Sequence, residues 1–262
     1  MKTTHPISDS LTMLRRNIRH NLKAPLGTVI VITIPVLFLL IFVFIFGDTL
    51  GAGINGGDRE SYLAFITPAI LIMAITSSTQ MIAVWISTDV TRGIIARFRT
   101  MPISPGSVLA GHVYGGTILA VFALAVLLIV SILIGYRPGA DAWDWLGFAG
   151  FAALAALAFA WFSIGFGLAA KGPETASNTT MLLLVLPMLS ASGFVPGEAM
   201  PEWLRGFAEY QPFTPIIKTF RGLLAGTPDL SDALVGIAWL IGIIIAFSIW
   251  SRRLYRRRAA QR

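Results

Sequence analysis

One short segment combines an apolar stripe with three arginines, a combination suited to binding another protein. Between Asp89 and Ser104, apolar side chains recur at helical spacing, at Val90, Ile94, Phe98 and Met101. The arginines of the segment are Arg92, Arg97 and Arg99. We expect an amphipathic helix over about 89–104 that ends near Pro102, because proline interrupts helices. Such a helix could dock into a groove on a soluble partner or lie at a membrane surface, and its periodicity fits both interpretations.

The N-terminal segment, residues 1–25, has the same character. Its apolar residues Leu11, Leu14, Ile18 and Leu22 alternate with the basic residues Arg15, Arg16, Arg19 and Lys23. This pattern predicts a basic amphipathic helix at the membrane interface, preceding Pro25. It could serve as a surface anchor, as a contact for a cytoplasmic partner, or as both.

A third segment, residues 196–232, is too apolar for a solvated linker, although its uncharged pieces are too short to cross a membrane. We expect two short helices, broken at Pro212 and Pro215, that dip into the outer leaflet. They could close the outer end of a transport pathway or act as a structural lid.

Motifs for enzymatic chemistry are missing from the sequence. It has no phosphate-binding Gly-x4-Gly-Lys-Ser/Thr loop, no cysteine and only three scattered histidines, so neither nucleotide hydrolysis nor a zinc protease is expected. His112 is interpreted as interfacial packing rather than as a ligand. The apolar runs contain no Asp, Glu, Lys or Arg, which argues against proton- or sodium-coupled carriers.

Composition places these segments in a membrane protein. Of the 262 residues, 55% are hydrophobic and 13% are charged, which excludes a disordered chain, a nucleic-acid-binding domain and most soluble enzymes. Six runs are long enough to cross about 30 Å of hydrocarbon as helices. They are Gly27 to Gly47, a stretch within Ser61 to Thr88, Ser107 to Gly135, Trp145 to Ala170, Thr175 to Val195, and Ala233 to Ser251.

Six spans place both termini on one side of the membrane. Fifteen of the 20 Lys and Arg residues fall on that side, including those of the tail, residues 252–262. The positive-inside rule therefore predicts that both termini are cytoplasmic.

Polar residues inside the predicted spans are small or uncharged. The second span carries the candidates for a substrate path, Thr76, Ser77, Thr79 and Gln80. Such residues more often serve helix packing, which is the alternative interpretation here.

Two loops together carry a family resemblance. The stretch DVTRGIIARFRTMPISPGSVLAGH is similar to the segment after the second span of ABC-2 type permeases, especially of the daunorubicin/doxorubicin-resistance branch. The stretch SGFVPGEAMPEWLRGFAEYQPFTPIIKTFRGLLAG resembles the segment before the final span of that family, and GLAAKGPETA fits the same pattern.

The resemblance implies an all-α permease domain over residues 26–251, without a cofactor in this chain. It implies a second permease copy or paralogue and two copies of an ABC ATPase that binds ATP and magnesium. It assigns coupling to that ATPase to Gly93, Arg97, Phe98, Arg99, Pro102 and Ser104, with a second contact through the N-terminal helix at Arg15, Arg16 and Arg19. It assigns an outer gate or scaffold to Pro201, Trp203, Pro212, Phe213, Pro215, Arg221 and Gly222.

The expected function is export of amphipathic or hydrophobic compounds, drug-like or lipid-like, across the plasma membrane of a bacterium. An exporter of a glycan or glycolipid is an alternative within the same family. A secondary carrier without an ATPase, or a membrane scaffold that does not transport, would be a different class.

Overall fold

The computed structural model describes residues 6–23, 25–51, 59–94, 105–191, 193–194 and 201–260. These residues form helices joined by short turns, without a β-strand in the described part. In chain order the helices are α1 Pro6–Lys23, α2 Pro25–Ile45, α3 Gly47–Gly51, α4 Arg59–Thr91, α5 Pro105–Leu133, α6 Ala142–Ala169, α7 Pro173–Leu189, α8 Glu202–Tyr210, α9 Phe213–Ala225 and α10 Leu230–Ala260.

Five of these helices are long and apolar enough to cross a membrane. The candidate spans are Gly27–Ile45, Arg59–Thr91, Gly106–Leu133, Ala142–Ala169 and Leu230–Arg257. The remaining long apolar helix, α7, lies where the fifth of six spans is expected but has only 17 residues. At 1.5 Å per residue it is about 25 Å long, somewhat less than the thickness of the hydrocarbon layer.

Local sequence explains several helix boundaries. Asp141 and Asp144 form a capping box at the start of α6, each side chain accepting a hydrogen bond from the backbone N–H of the other. Pro173 occupies the first turn of α7, where the missing N–H costs nothing. Gly226 ends α9 in the left-handed conformation, with φ of 73°.

Helix α4 is the centre of the bundle. It packs against α2, α5, α6 and α7, and it contributes a long run of buried aliphatic side chains from Ile66 to Ile86. Helix α6 packs against α4 on one side and along α10 on the other. Because α4 is enclosed on most sides, its apolar residues form the protein core rather than a lipid-facing surface.

Glycine allows α4 and α6 to approach closely. A Cβ atom at Gly167 of α6 would lie 2.6 Å from the carbonyl oxygen of Ala83 and 2.4 Å from the side chain of Ile86. Both atoms belong to α4, and the carbonyl cannot move without displacing the helix. Close contact between small residues is the usual way in which helices associate in membranes.

Apolar side chains remain exposed on several helices of the isolated chain. They include Ile34, Phe38, Ile41 and Phe44 of α2, Leu182, Leu186 and Leu189 of α7, and Ile241, Ile245 and Ile249 of α10. Faces of this kind are suited to contact with lipid or with another membrane subunit.

Two expected boundaries differ from the structure. The helix expected over 89–104 does not begin as a separate element, because residues 89–91 continue α4, and residues 95–104 lie outside the described residues. The outer segment does form two short helices, but the break falls at Gln211 and Pro212, whereas Pro215 lies within the first turn of α9. Proline is tolerated there because the first turn has no internal partner for its nitrogen.

Candidate functional site

Helix α1 lies directly on α5, on a face made flat by glycine. A Cβ atom at Gly111 would lie 2.6 Å from the Cβ of Met13, and one at Gly115 would lie 3.2 Å from the Cβ of Asn17. Met13 and Asn17 are both buried. The spacing of four residues on both helices lets the two pairs form adjacent contacts along the interface.

Four polar side chains join α1, α4 and α5 at this interface; we call Arg16, Asn17, Asp89 and His112 the Asp89 cluster. The Oδ2 atom of Asp89 lies 3.0 Å from Nη2 of Arg16 and 3.2 Å from Nε2 of His112. The Nδ2 atom of Asn17 lies 3.1 Å from Nδ1 of His112 and donates to the carbonyl oxygen of Gly111 at 3.3 Å. Each of the three helices therefore contributes at least one member.

The hydrogen bonds of the cluster are mutually consistent. If Asn17 donates one N–H to His112 Nδ1, the other N–H serves Gly111, and Nε2–H of His112 is left to donate to Asp89. The side chains of His112 and Asp89 are only 8% and 11% exposed, whereas that of Arg16 is 42% exposed. The charge of Asp89 is thus compensated inside the protein, as a nearly buried carboxylate requires.

A small cavity of 170 Å³ adjoins the Asp89 cluster. Its lining includes Trp85 and Arg92 of the α4 region as well as Met13 of α1. Among the described residues, no group of three His, Asp or Glu side chains could hold a metal ion. What the arrangement provides is a polar, enclosed connection between the N-terminal helix and the bundle.

The residues predicted to couple the chain to an ATPase lie close to this connection in the sequence. Gly93 ends the helical region of α4 in a left-handed conformation, with φ of 69° and its N–H donating to Val90. Arg97, Phe98, Arg99, Pro102 and Ser104 lie outside the described residues. Of the predicted α1 residues, Arg16 joins the Asp89 cluster, Arg15 is exposed, and Arg19 is placed only as part of the helix.

The residues predicted to form an outer gate are divided between a buried and an exposed group. Phe213 is buried and stacks on Phe159 of α6, with ring centroids 5.3 Å apart. Pro215 is buried beside it, whereas Pro212 is half-buried at the start of α9. These residues fix α9 to the bundle.

Arg221 links α9 to α4. It donates from Nη2 to the carbonyl oxygen of Phe65 at 3.1 Å, and its guanidinium lies 4.3 Å from the centroid of the Phe65 ring. Burial raises the pKa of the nearby Tyr136 to about 12, so that phenol is neutral beside the arginine. Gly222 allows a tight turn, since a Cβ there would lie 3.0 Å from the carbonyl oxygen of Thr227.

Helix α8 contributes the exposed group. Trp203 is 80% exposed and Pro201, which precedes the helix, is also exposed. Phe207 and Tyr210 of the same helix are exposed as well. In the single chain, these side chains of α8 therefore lie at the surface and are not part of the hydrophobic core.

The candidates for a substrate path mostly satisfy their own helix. Thr76 and Thr79 are buried and donate to carbonyl oxygens of α4, those of Met73 and Thr76. Ser77 is half-buried. Gln80 instead crosses to α7, where its Nε2 lies 3.2 Å from both the carbonyl and the hydroxyl oxygen of Ser177. The geometry therefore supports helix packing for Thr76 and Thr79 and a link between helices for Gln80.

An apolar cavity of 410 Å³ lies between α6, α7, α10 and the outer helices. Aromatic residues dominate its lining, with Phe159, Phe162, Phe213, Trp239 and Phe247 among them. Gln211 also lines it, and its Oε1 atom is buried without a hydrogen-bond partner among the described residues. Such a cavity can accept an apolar compound.

Sequence reasoning missed the pairing of Asp89 with His112. His112 was interpreted as packing, and Asp89 as the start of an amphipathic helix. The available signal was position: each residue lies just where an apolar run meets the same connecting segment, so antiparallel helices bring the two to one level. A charged residue at the edge of a span usually has a partner nearby.

Comparison with known proteins agrees with this architecture. Residues 9–225 match the family described as ABC-2 type transporter. The chain is 30% identical over 254 residues to the daunorubicin resistance ABC transporter permease protein DrrB1 of Streptomyces coeruleorubidus, covering 97% of this chain and 88% of that protein.

More distant relatives include other permeases. The probable doxorubicin resistance ABC transporter permease protein DrrC of Mycobacterium tuberculosis is 23% identical over 238 residues, covering 86% of this chain and 80% of that protein. The inner membrane transport permease YadH of Escherichia coli is 24% identical over 217 residues, covering 82% of this chain and 81% of that protein. With the family match spanning most of its length, this chain belongs to the ABC-2 type transporter family of membrane permeases.

Proposed function

We propose that this chain is the transmembrane subunit of an ATP-driven exporter of amphipathic or hydrophobic compounds. The observation that carries the proposal is the match over 97% of the chain to a permease named for daunorubicin resistance. The aromatic-lined cavity of 410 Å³ supports the substrate class, because it is suited to a compound with a large apolar surface.

We further infer six spans with both termini in the cytoplasm. If α7 did not cross, α10 would run in the opposite sense, and the basic tail with Arg252, Arg253 and Arg256 would lie outside the cell. That arrangement would contradict the positive-inside rule. A 17-residue helix can span a membrane if the bilayer thins locally, at a modest cost.

ATP hydrolysis is assigned to two copies of a separate ABC ATPase, which hold ATP and magnesium, and a second permease copy completes the pathway. The apolar faces of α2 and α7, exposed in the single chain, would offer a surface to that copy. Alternating access between the two copies would then carry substrate outward.

Coupling is assigned to the segment after α4 together with α1. The ATPase would contact the segment around Phe98, and the Asp89 cluster would connect that region to α1 and α5. Since the cluster joins three helices, displacement of any one of them would be passed to the other two.

Reconstitution with an ABC ATPase encoded beside this chain tests the proposal. In liposomes, daunorubicin should stimulate ATP turnover by the complex and be moved across the bilayer. Phe98→Ala should abolish ATPase binding by removing a large apolar anchor, and Arg97→Glu should weaken binding in a salt-dependent manner. Charge reversal at Arg137, on the opposite side of the membrane, is the control.

Two results would contradict the proposal. Transport without any ATPase would place the chain among secondary carriers. Wild-type association and transport in the double variant Arg97→Glu/Phe98→Ala would remove the assigned coupling role from this segment. Stimulation by a glycolipid but not by daunorubicin would favour the alternative, an exporter of glycans or glycolipids.

A further inference from the structure

A groove opens between α5, α6 and α10 at the end of the bundle where α1 lies. Its volume is 290 Å³, and we call it the Arg252 groove. Its lining includes Ala110, Val113, Tyr114, Trp161, Arg252 and Arg256. It is separate from the Asp89 cluster, which lies among α1, α4 and α5, and from the aromatic cavity near α8 and α9.

Two positive charges lie at the mouth of the groove. Arg252 and Arg256 are four residues apart on α10, so both side chains project from the same face of the helix. Both are exposed, and within the described ranges neither forms a salt bridge with a carboxylate. The guanidinium of Arg252 lies 6.0 Å from the centroid of the Trp161 ring, at the limit of a cation–π contact.

Apart from the two arginines, the residues that line the groove are mostly apolar or aromatic. Ala110 and Tyr114 of α5 form the accessible part of one wall, with the buried Leu109 and Val113 beneath them, and Trp161 of α6 forms another. Gly106 and Ala110 have little or no side chain, which leaves room between α5 and α10. A ligand with a negative head and an apolar tail would place each part against a matching surface.

The position of the groove along the helices fits a lipid. Arg252 and Arg256 follow directly after the apolar part of α10, at the level where headgroups lie. Gly106 to Tyr114 make up the first turns of α5, which enter the hydrocarbon from the same end. Tyr114 is 51% exposed on that face, as aromatic residues at membrane interfaces often are.

We propose that the Arg252 groove binds an anionic glycerophospholipid of the surrounding leaflet. Arg252 and Arg256 hold its phosphate, and one acyl chain runs along Ala110, Tyr114 and Trp161. Basic grooves between membrane helices on the cytoplasmic side are suited to such headgroups. This site depends on the orientation proposed above but on neither the substrate nor the ATPase.

The sequence offers a matched control for the test. Arg253 and Arg257 have the same spacing on the same helix but do not line the groove. Arg252→Gln/Arg256→Gln and Arg253→Gln/Arg257→Gln therefore remove equal charge from the same turns of α10. All four side chains are exposed, so both variants should fold.

Native mass spectrometry of the purified full chain, with phosphatidylglycerol or phosphatidylcholine added, measures retained lipid. We expect wild type and Arg253→Gln/Arg257→Gln to retain phosphatidylglycerol equally, and Arg252→Gln/Arg256→Gln to bind it about thirtyfold more weakly. Ala110→Phe, which fills the groove but keeps both arginines, should also weaken retention. Phosphatidylcholine should be retained poorly by every variant.

Three results would overturn the proposal. If Arg252→Gln/Arg256→Gln and Arg253→Gln/Arg257→Gln lost the same amount of retained phosphatidylglycerol, the basic tail would attract lipid by its charge without a defined site. Unchanged retention in Arg252→Gln/Arg256→Gln would mean that the groove is not used. If inorganic phosphate displaced phosphatidylglycerol fully and Ala110→Phe had no effect, the groove would be a site for free anions and not for lipid.

Discussion

Asp89 and His112 lie at opposite ends of the segment that joins α4 to α5, yet their side chains meet at 3.2 Å. The contact therefore links α4 to α5. The guanidinium of Arg16, on α1, lies 3.0 Å from the same carboxylate. Three helices that are separated along the chain are therefore fixed to one carboxylate.

The first prediction concerns this carboxylate. Arg16→Gln should destabilise the protein by about 1–3 kcal/mol, because it leaves a nearly buried Asp89 without its permanent positive partner. Arg15→Gln, at the exposed neighbouring position, should change stability by less than about 0.5 kcal/mol. Thermal unfolding in detergent measures both. If Arg16→Gln and Arg15→Gln changed stability equally, the pairing of Arg16 with Asp89 would contribute no more than an ordinary surface charge.

The second prediction concerns the contact between α4 and α6. Gly167→Ala should destabilise the bundle by about 1–3 kcal/mol, because the new methyl group would press against the Ala83 carbonyl oxygen. Gly150→Ala in the same helix meets no atom within 4 Å and should be neutral or stabilising by up to about 1 kcal/mol. The denaturation midpoint should fall in Gly167→Ala and should stay the same or rise in Gly150→Ala. A stable Gly167→Ala would show that the helices can separate at little cost.

The third prediction separates the two aromatic residues of the outer helices. Phe213→Ala should lower stability by about 3–5 kcal/mol and impair export, because Phe213 is buried against Phe159. Trp203→Ala should leave the stability of the isolated chain within about 0.5 kcal/mol, because Trp203 is 80% exposed. Unfolding of the single chain and transport by the assembled complex are the two measurements. If Trp203→Ala lost transport while the single chain kept its stability, Trp203 would be assigned to a contact made in the complex.

The fourth prediction decides whether α7 crosses the membrane. The sequence contains no cysteine, so single substitutions can be labelled without background. If α7 crosses as proposed, an impermeant thiol reagent should label Trp203→Cys but not Gly172→Cys in intact cells, because the two positions follow and precede α7 in the chain. Labelling after membrane disruption is the control for accessibility. If both positions react in intact cells, α7 does not cross.

The sequence predicted the parts of the fold that depend on local pattern. Runs such as Gly27 to Gly47 identified membrane helices, and Pro212 marked the break between two outer helices. Trp203 could not be placed in this way, because an amphipathic helix does not reveal whether its apolar face meets this chain, a partner or lipid. For Thr76 and Thr79 the sequence leaves a substrate path and helix packing open, and the structure shows that their hydroxyl groups donate to carbonyl oxygens about one turn earlier in α4.

The contact of α1 with the Asp89 cluster could not be predicted, because it depends on tertiary arrangement. Arg16 and Asp89 are 73 residues apart, and only the packing of α1 on α5 brings them together. That packing depends in turn on Gly111 and Gly115, whose role is visible only once Met13 and Asn17 are seen against them.

The left-handed turn at Gly93 has a mechanical consequence. Because α4 ends at Thr91 and the backbone adopts a left-handed conformation at Gly93, the axis of α4 does not continue through this turn. Helix α1, by contrast, is bonded to both α4 and α5, because Arg16 pairs with Asp89 and Asn17 donates to the carbonyl oxygen of Gly111. A partner subunit that bound α1 would therefore act on α4 and α5 together, through the contacts of Arg16 and Asn17.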